Sequence, residues 1–449
     1  MKKRLNLIVI CADTWRSDYL GCNGNTWIKT PNLDAFAKES VNFTNVYADG
    51  LPTIPMRRVF FTGNSIIPLE HTPLIRGSQP SGGAWHPLAQ DEITISEVLK
   101  GAGYRTGFIT DCFHYFKPNL NFHRFFDTFE FIRGQERDYW RQLPHDQFDP
   151  KKHMPKHLWN PDYDQKMRQY MMNTAHWEKE EDYFCAQVCR SAMQWLEWNS
   201  QDTQPMFLWV DMFDPHEPWD APRRFQEMYI KKIPYDRYLF GYGVKPKDCK
   251  PSDIPILRGL YAAEVTFTDE WIGRLLGKIR ELGLMENSII VFSTDHGTHV
   301  GEEGCVQKTH GLLNSAVARL PLLVYHPNRK HAGKRVDALV SGVDYMPTML
   351  KALGVKCPKV DGQDMWQLVT GKKKKLHDRV FVAYEQHAAV RDLKWHYFQH
   401  IEGDDPGHGP ALYDIRKDPG ETKNVARKYP KVVAQMRKHI ERRLGFSIP

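Results

Sequence analysis

Hydrophobic positions along the chain fall into short continuous runs that alternate with stretches of helical spacing. Residues 5–11 are an almost unbroken apolar run, the pattern of a central parallel strand buried on both faces, and the run stops at Asp13. Thr30-Pro31-Asn32-Leu33-Asp34 opens a helix, residues 41–47 read as a strand, residues 91–99 as a helix closed by Gly101 and Gly103, and residues 105–110 as the next strand. From about 113 to 176 no period lasts, and this segment reads as a long insertion over the sheet edge, either shaping substrate choice or serving as a structural loop. The alternation then resumes: a helix over 180–198, a buried strand over 205–210, a long helix over 251–284 ended by Gly283, an apolar strand over 288–292, a strand over 321–325 and a short helix over 344–353. Such alternation predicts an α/β protein with a large doubly wound, mixed but mostly parallel sheet flanked by helices. Beyond the basic run Lys372 to Lys375 the texture changes to short strands over 379–384, 388–391 and 394–400, a Leu412-Tyr413-Asp414 segment and an amphipathic helix over 430–444. The expected organisation is therefore an α/β catalytic domain over 1–370 and a small C-terminal α+β subdomain with an antiparallel sheet over 371–449.

Composition narrows the function classes. A chain of 449 residues is long enough for a large core, and its 13 Trp, 19 Tyr and 23 Phe favour a cleft or loops lined by rings. The net charge of +7 is mild and its basic residues are dispersed, with no recognised module, so nucleic acid is not an expected partner; an anionic small-molecule or glycan ester is. No stretch is apolar for long enough to span a membrane. The basic start Lys2-Lys3-Arg4 imitates an export signal, but Asp13 stands where a small-residue cleavage site would be needed, so a cytoplasmic protein is the simpler expectation, or a periplasmic or secreted one if an export signal has been omitted. The eight cysteines contain no CxxC pair, and Cys185 and Cys189 share a helical face, which suits packing. Oligomeric state is left open, with a homo-oligomer compatible.

Chemistry concentrates at strand ends. Asp13 and the pair Asp295-His296 both follow buried strands, and in a parallel sheet such ends gather on one edge. Thr53 stands two residues before Pro55 and four before Arg57, just ahead of a helix start where free N–H groups favour negative charge; Arg57 offers a fork of donors one turn on. The same stretch also suits a Pro-initiated buried helix with a capping Thr. Two carboxylates, one imidazole and a hydroxyl make a site for one divalent ion, Mn²⁺ or Zn²⁺ before Ca²⁺ or Mg²⁺, and a bound metal would make Thr53 a competent nucleophile.

Taken together, these elements resemble the sulfatase family of the alkaline phosphatase superfamily. The stretch 51–63 is similar to its nucleophile motif, residues 6–18 to its opening metal strand, 30–36 to its Thr-Pro-Asn-Leu-Asp helix, 213–218 to its Asp-Pro-His-x-Pro element, 293–297 to its second metal motif, 311–325 to the stretch leading into Arg-x-Pro-Leu, and 412–426 to its Leu-Tyr-Asp…Asp-Pro-x-Glu…Asn signature. The resemblance implies an alkaline phosphatase-like fold, metal ligands Asp13, Thr53, Asp295 and His296, nucleophile Thr53, support from Arg57, and contacts to the transferred group and leaving oxygen from His216, Lys308 and His310. The chain departs from that pattern in two places. Thr14 stands where many relatives carry a second acid, and Thr53 replaces the Cys or Ser that family sulfatases convert to formylglycine. An unmodified Thr has no easy route for expelling sulfate, whereas a phosphoryl ester of Thr can be cleaved by water. The Asp295-His296 pair and the Lys308-Thr309-His310 order also resemble the phosphonate and phosphate ester hydrolases of the family. The leading reading is a metal-dependent hydrolase of phosphate mono- or diesters or phosphonate esters through a covalent Thr53 intermediate. The alternatives are a sulfatase acting on sulfated sugars or aryl sulfates, and a catalytically silent glycan-binding homologue. A second metal on Asp211, Asp214 and His216 is a further variant.

Overall fold

The structure, a computed structural model, describes residues 4–68, 83–117, 119–240, 242–309, 311–402 and 410–449. In chain order its strands are β1 (Asn6–Ala12), β2 (Ser40–Tyr47), β3 (Gly50–Leu51), β4 (Arg105–Thr110), β5 (Thr128–Phe131), β6 (Met206–Met212), β7 (Ser288–Thr294), β8 (His299–Val300) and β9 (Val306–Gln307). They continue as β10 (Arg319–Tyr325), β11 (Arg335–Val336), β12 (Val340–Ser341), β13 (Val380–Tyr384), β14 (His387–Arg391), β15 (Trp395–His400) and β16 (Ala411–Asp414). The main sheet runs β11-β2-β10-β7-β1-β6-β4-β5, with β12 also on β2. All pairings are parallel except those of β10, which is antiparallel to both neighbours.

Both faces of this sheet are covered, and β1 shows how. Ile8, Ile10 and Ala12 join the cluster packed under helices Pro31–Glu39, Phe184–Asn199 and Ile254–Glu281, while Leu7, Val9 and Cys11 join the cluster under Ile54–Thr62, Ile95–Gly101 and Tyr345–Ala352. Successive side chains point to opposite faces of a strand, so a strand sandwiched between two helix layers must be apolar at every position, as 5–11 is. The doubly wound layer expected from the alternation is therefore the observed one.

A second sheet, β16-β15-β14-β13-β3, is antiparallel apart from the β13–β3 pair, and helix Pro430–Leu444 packs on it through Met436, Ile440 and Leu444. Its edge strand β3 comes from Gly50–Leu51, one residue short of Thr53, so the small sheet abuts the segment that carries Thr53.

Several element bounds differ from the sequence reading. The helix expected over 91–99 begins at Ile95, because Thr94 Oγ1 accepts the Glu97 N–H at 3.3 Å and caps it there. The helix expected from 180 begins at Phe184, after a separate 3₁₀ turn at Glu180–Asp182. The insertion also holds more regular structure than its lack of period implied. Thr128–Phe131 is the edge strand β5, paired with β4, and Asp164–Asn173 is a helix buried through Met167, Tyr170 and Met171. Among the described residues no helix is long and apolar enough to cross a membrane.

Candidate active site

Strand register assembles the acids. Ala12 of β1 lies beside Thr294 of β7, so the next residues, Asp13 and Asp295, leave the sheet side by side. Among the described residues, the cluster of acidic, Cys or His side chains whose donor atoms all lie within 4.8 Å of one another is Asp13, Asp295 and His296, all fully buried. His296 Nδ1 is 2.8 Å from the carbonyl of Gly297. A carbonyl can only accept, so Nδ1 carries the hydrogen and Nε2 keeps its lone pair. That Nε2 lies 3.4 Å from Asp295 Oδ2, 3.7 Å from Asp13 Oδ1 and 3.4 Å from Thr53 Oγ1. Burial, opposed by the charge of Asp295, pulls the imidazole pKa down to about 4, so at neutral pH it is the uncharged ligand form. Gly297 is required for this turn: a Cβ there would stand 2.0 Å from the Ala316 carbonyl oxygen.

The two carboxylates are driven apart in acidity. Burial and the charge of Asp295 hold Asp13 well above the ordinary carboxylate range. Burial would raise Asp295 as well, but Arg57 and His296 outweigh it and bring Asp295 down to about 2. A donor set of two carboxylates, one neutral imidazole and a hydroxyl fits a divalent metal.

Thr53 caps helix Ile54–Thr62, with Pro55 in the first turn as its missing N–H allows, and Gly63 ends it in the left-handed region with its N–H on the Val59 carbonyl. Thr53 itself has φ +35, an uncommon value for a β-branched residue. Arg57 follows one turn later with 0 % exposure, and its guanidinium is fully engaged. Nη2 donates to Asp211 Oδ1 at 2.8 Å, Nε to Asp211 Oδ2 at 3.1 Å, and Nη1 to Asp13 Oδ2 at 3.1 Å and to Asp295. The fork read from the sequence as an anion clamp is therefore spent on three carboxylates beneath Thr53 and does not line the cleft. Asp211 is held in turn by Tyr115 Oη at 2.8 Å and Trp209 Nε1 at 3.2 Å.

Above Thr53 opens a cleft of about 650 Å³. One wall carries His216, Glu217 and Lys308; Lys308 Nζ is 2.7 Å from His216 Nε2 and 3.0 Å from Glu217 Oε1. His216 Nδ1 donates to the Glu217 carbonyl at 2.7 Å, and burial brings the ring's pKa down to about 3. Glu217 is brought down to about 2: burial alone would raise it, but the facing His216 and Lys308 outweigh that. The other wall joins the insertion to Tyr242: Glu136 pairs with Lys166 and lies 3.3 Å from His114 Nε2, and the Lys166 ammonium sits 3.6 Å over the Tyr242 ring. Among the described residues the buried Tyr242 hydroxyl has no hydrogen-bond partner.

Of the eight residues singled out in the sequence, Asp13, Thr53, Arg57, Asp295 and His296 come together at one strand edge, and His216 and Lys308 meet on the cleft wall; His310 lies outside the described residues. Asp211, Asp214 and His216 do not form a second cluster, because Asp211 is held by Arg57, Asp214 accepts from Cys185 N at 3.0 Å, and His216 faces Lys308. Sequence reasoning did not find Glu217, Glu136, Lys166, Tyr115 or Tyr242. Glu217 adjoins a recognised element, whereas the other four lie in segments without period.

A family model described as Sulfatase matches residues 5–355, and one described as N-sulphoglucosamine sulphohydrolase, C-terminal, matches residues 301–444. An ulvan-active sulfatase of Formosa agariphila is 30% identical over 369 residues, which cover 81% of this chain and 65% of that protein; the chain thus spans just under two thirds of that relative's length. An arylsulfatase of Clostridium perfringens is 27% identical over 450 residues, covering 94% of this chain and 90% of that protein. Among solved structures, the phosphonate monoester hydrolase of Agrobacterium radiobacter superposes with a TM-score of 0.75 over 98% of this chain and 96% of its own, at 20% identity, a likeness of fold alone.

Proposed function

Because the chain belongs to the sulfatase family and is an ester hydrolase of that kind, we propose that it is a metal-dependent hydrolase of phosphate mono- or diesters or phosphonate esters, acting through Thr53. The observation that carries this reading is the position of an unmodified threonine hydroxyl: at a buried helix start, 3.4 Å from His296 Nε2, at the foot of a cleft walled by Lys308 and His216. Asp13, Asp295, His296 and Thr53 would hold the ion, with Mn²⁺ or Zn²⁺ suiting a mixed oxygen and imidazole set. Such an ion supplies charge that lowers the pKa of the Thr53 hydroxyl and offsets charge on the transferred group.

The rest is the work of the chain's own residues. Thr53 Oγ1 gives its proton to a water of the cleft and bonds to phosphorus as the bond from phosphorus to the leaving oxygen breaks, that oxygen taking a proton from Lys308. Water then attacks the phospho-Thr53 ester, the phosphorus–Thr53 bond breaks, and the proton shed by that water passes to Thr53 Oγ1. His216 is uncharged at neutral pH and its Nε2 is taken by Lys308, so Lys308 is the wall's proton-bearing group and the better donor to the leaving oxygen. Arg57 steadies Asp13 and Asp295 from below. The wall of Glu136 and Lys166 from the insertion, with Tyr242 beside them, contacts the leaving group and sets its choice.

A panel of chromogenic phosphate monoesters, diesters, phosphonates and sulfates, each with Mn²⁺, Zn²⁺, Mg²⁺ or EDTA and with Thr53→Ala alongside, tests the reading. Turnover of a phosphorus ester, lost in EDTA and in the variant, is expected. Turnover of sulfate esters alone would overturn it in favour of the second reading, a sulfatase, which the names of the two relatives favour. No turnover at all would favour a silent glycan-binding role.

A further inference from the structure

We propose that Thr14 is a positioning residue for the metal centre, and that its strained backbone is held for that purpose. The inference rests on the reading of Asp13, Asp295 and His296 as metal ligands. Thr14 is fully buried and has φ +64, in the left-handed region that a β-branched side chain strongly disfavours. Residues forced into such conformations persist only where the surroundings over-determine them. The contacts of Thr14 show what does so. Its hydroxyl donates to Asp13 Oδ1, and its backbone N–H donates to Asp295 Oδ1 at 3.1 Å. Its carbonyl accepts from the Tyr261 hydroxyl at 2.8 Å, and that hydroxyl accepts from Arg16 N at 2.9 Å, so the peptide is fixed from the long helix Ile254–Glu281.

One residue thus holds one oxygen of each acid. On Asp295, Oδ1 is taken by Thr14 and by His296 N at 2.8 Å, and Oδ2, which also accepts from Arg57, is the oxygen 3.4 Å from His296 Nε2. On Asp13, Thr14 fills one lone pair of the oxygen that lies 3.7 Å from His296 Nε2 and so fixes the rotation of the carboxylate. The left-handed conformation lets the amide reach one acid while the side chain reaches the other. Outer partners of this kind orient ligands and tune their affinity.

The test measures binding of Mn²⁺ and Zn²⁺ by calorimetry, together with melting of the metal-free protein, for wild type and Thr14→Val, Thr14→Ser and Thr14→Gly. Valine keeps the shape and the strain but removes the hydroxyl, serine restores the hydroxyl, and glycine removes both the hydroxyl and the strain. The expected result is metal affinity weakened about 10- to 100-fold in the valine and glycine variants, near wild type with serine, and melting of the metal-free glycine variant at or above wild type. Affinity in the valine variant within twofold of wild type, or a serine variant as weak as valine, overturns the inference and leaves the proposed function standing. A wild-type protein that binds neither ion overturns the metal reading itself.

Discussion

Removing the Arg57 cation by Arg57→Met is the sharpest test of how the site is held together. In the folded protein this guanidinium is the shared partner of Asp13, Asp211 and Asp295, and all four side chains have zero exposure. Methionine fills a similar volume but leaves three carboxylates with only hydroxyl, indole and amide donors. Breaking a buried ion pair from one side costs about 3–5 kcal/mol, because the remaining charge stays buried. An unfolding entropy of about 2.1 cal/mol/K per residue over 449 residues gives about 0.9 kcal/mol/K. The expected fall in melting temperature is therefore about 3–5 °C at neutral pH, without metal. The pH dependence has a definite sign. Arg57 brings Asp295 below its unfolded value, down to about 2, against the opposing effect of burial. A carboxylate with a depressed folded pKa contributes stability that is present above its unfolded value near pH 4 and is lost as pH falls toward 2. The gap between wild type and variant should thus be widest above pH 4 and narrow below it. Differential scanning calorimetry from pH 3 to 8 reads both features. A variant melting within 1 °C of wild type at pH 7, or a gap that does not change with pH, would refute the argument.

The fold was legible where burial on both faces leaves a continuous apolar signature. That signature marks β1, β6 and β7, whose carboxyl ends carry Asp13, Asp211 and Asp295. The acids were found because the ends of neighbouring parallel strands must lie together, and Thr53 because a proline two residues on fixes where its helix starts. The target of Arg57 was not legible. Its main partner, Asp211, is 154 residues away in sequence, and nothing local distinguishes a guanidinium aimed at a substrate from one aimed at a carboxylate. The reversed direction of β10 was hidden for a related reason: an apolar run has no polarity, and register appears only on pairing. In the insertion, β5 is four residues long and exposed at all but Phe131, and the helix Asp164–Asn173 buries a Met and Tyr stripe inside a mostly polar sequence, so neither sets up a period that reads above its neighbours. The second sheet takes two residues from before Thr53, too few to signal a strand, and so the boundary near 370 did not include them.

Three further outcomes follow from the same geometry. Gly63→Ala places a side chain at φ +68 and within 3.3 Å of Met346 and Val360, and should cost about 1 kcal/mol or more, read as a lower denaturant midpoint; an unchanged midpoint would mean the helix end relaxes freely. Lys308→Met removes a cation that, together with the larger effect of burial, depresses His216, so the His216 titration followed by NMR should move upward from about 3; no movement would mean the two do not interact. Glu421→Gln tests how the small sheet supports the strand edge that carries Asp295 and His296. Glu421 is buried and accepts from Arg391, from His396 Nδ1 at 3.0 Å, and from both the N–H and the hydroxyl of Ser315, at 2.6 Å and 3.0 Å. Burial alone would raise its pKa, but His396 and Arg391 outweigh burial and hold it below the ordinary glutamate value. Its stabilisation is therefore present above pH 4.5 and lost as pH falls below that value, so the deficit of the amide variant, about 3–5 kcal/mol at pH 7, should shrink in acid. A deficit independent of pH would show that shape rather than charge matters there. Ser315 opens the short helix Ser315–Ala318, whose Val317 carbonyl accepts the Gly297 N–H at 2.8 Å, directly after His296. Loosening Glu421 therefore loosens the turn that orients the imidazole, and the variant should bind Mn²⁺ or Zn²⁺ more weakly even at a pH where it remains folded.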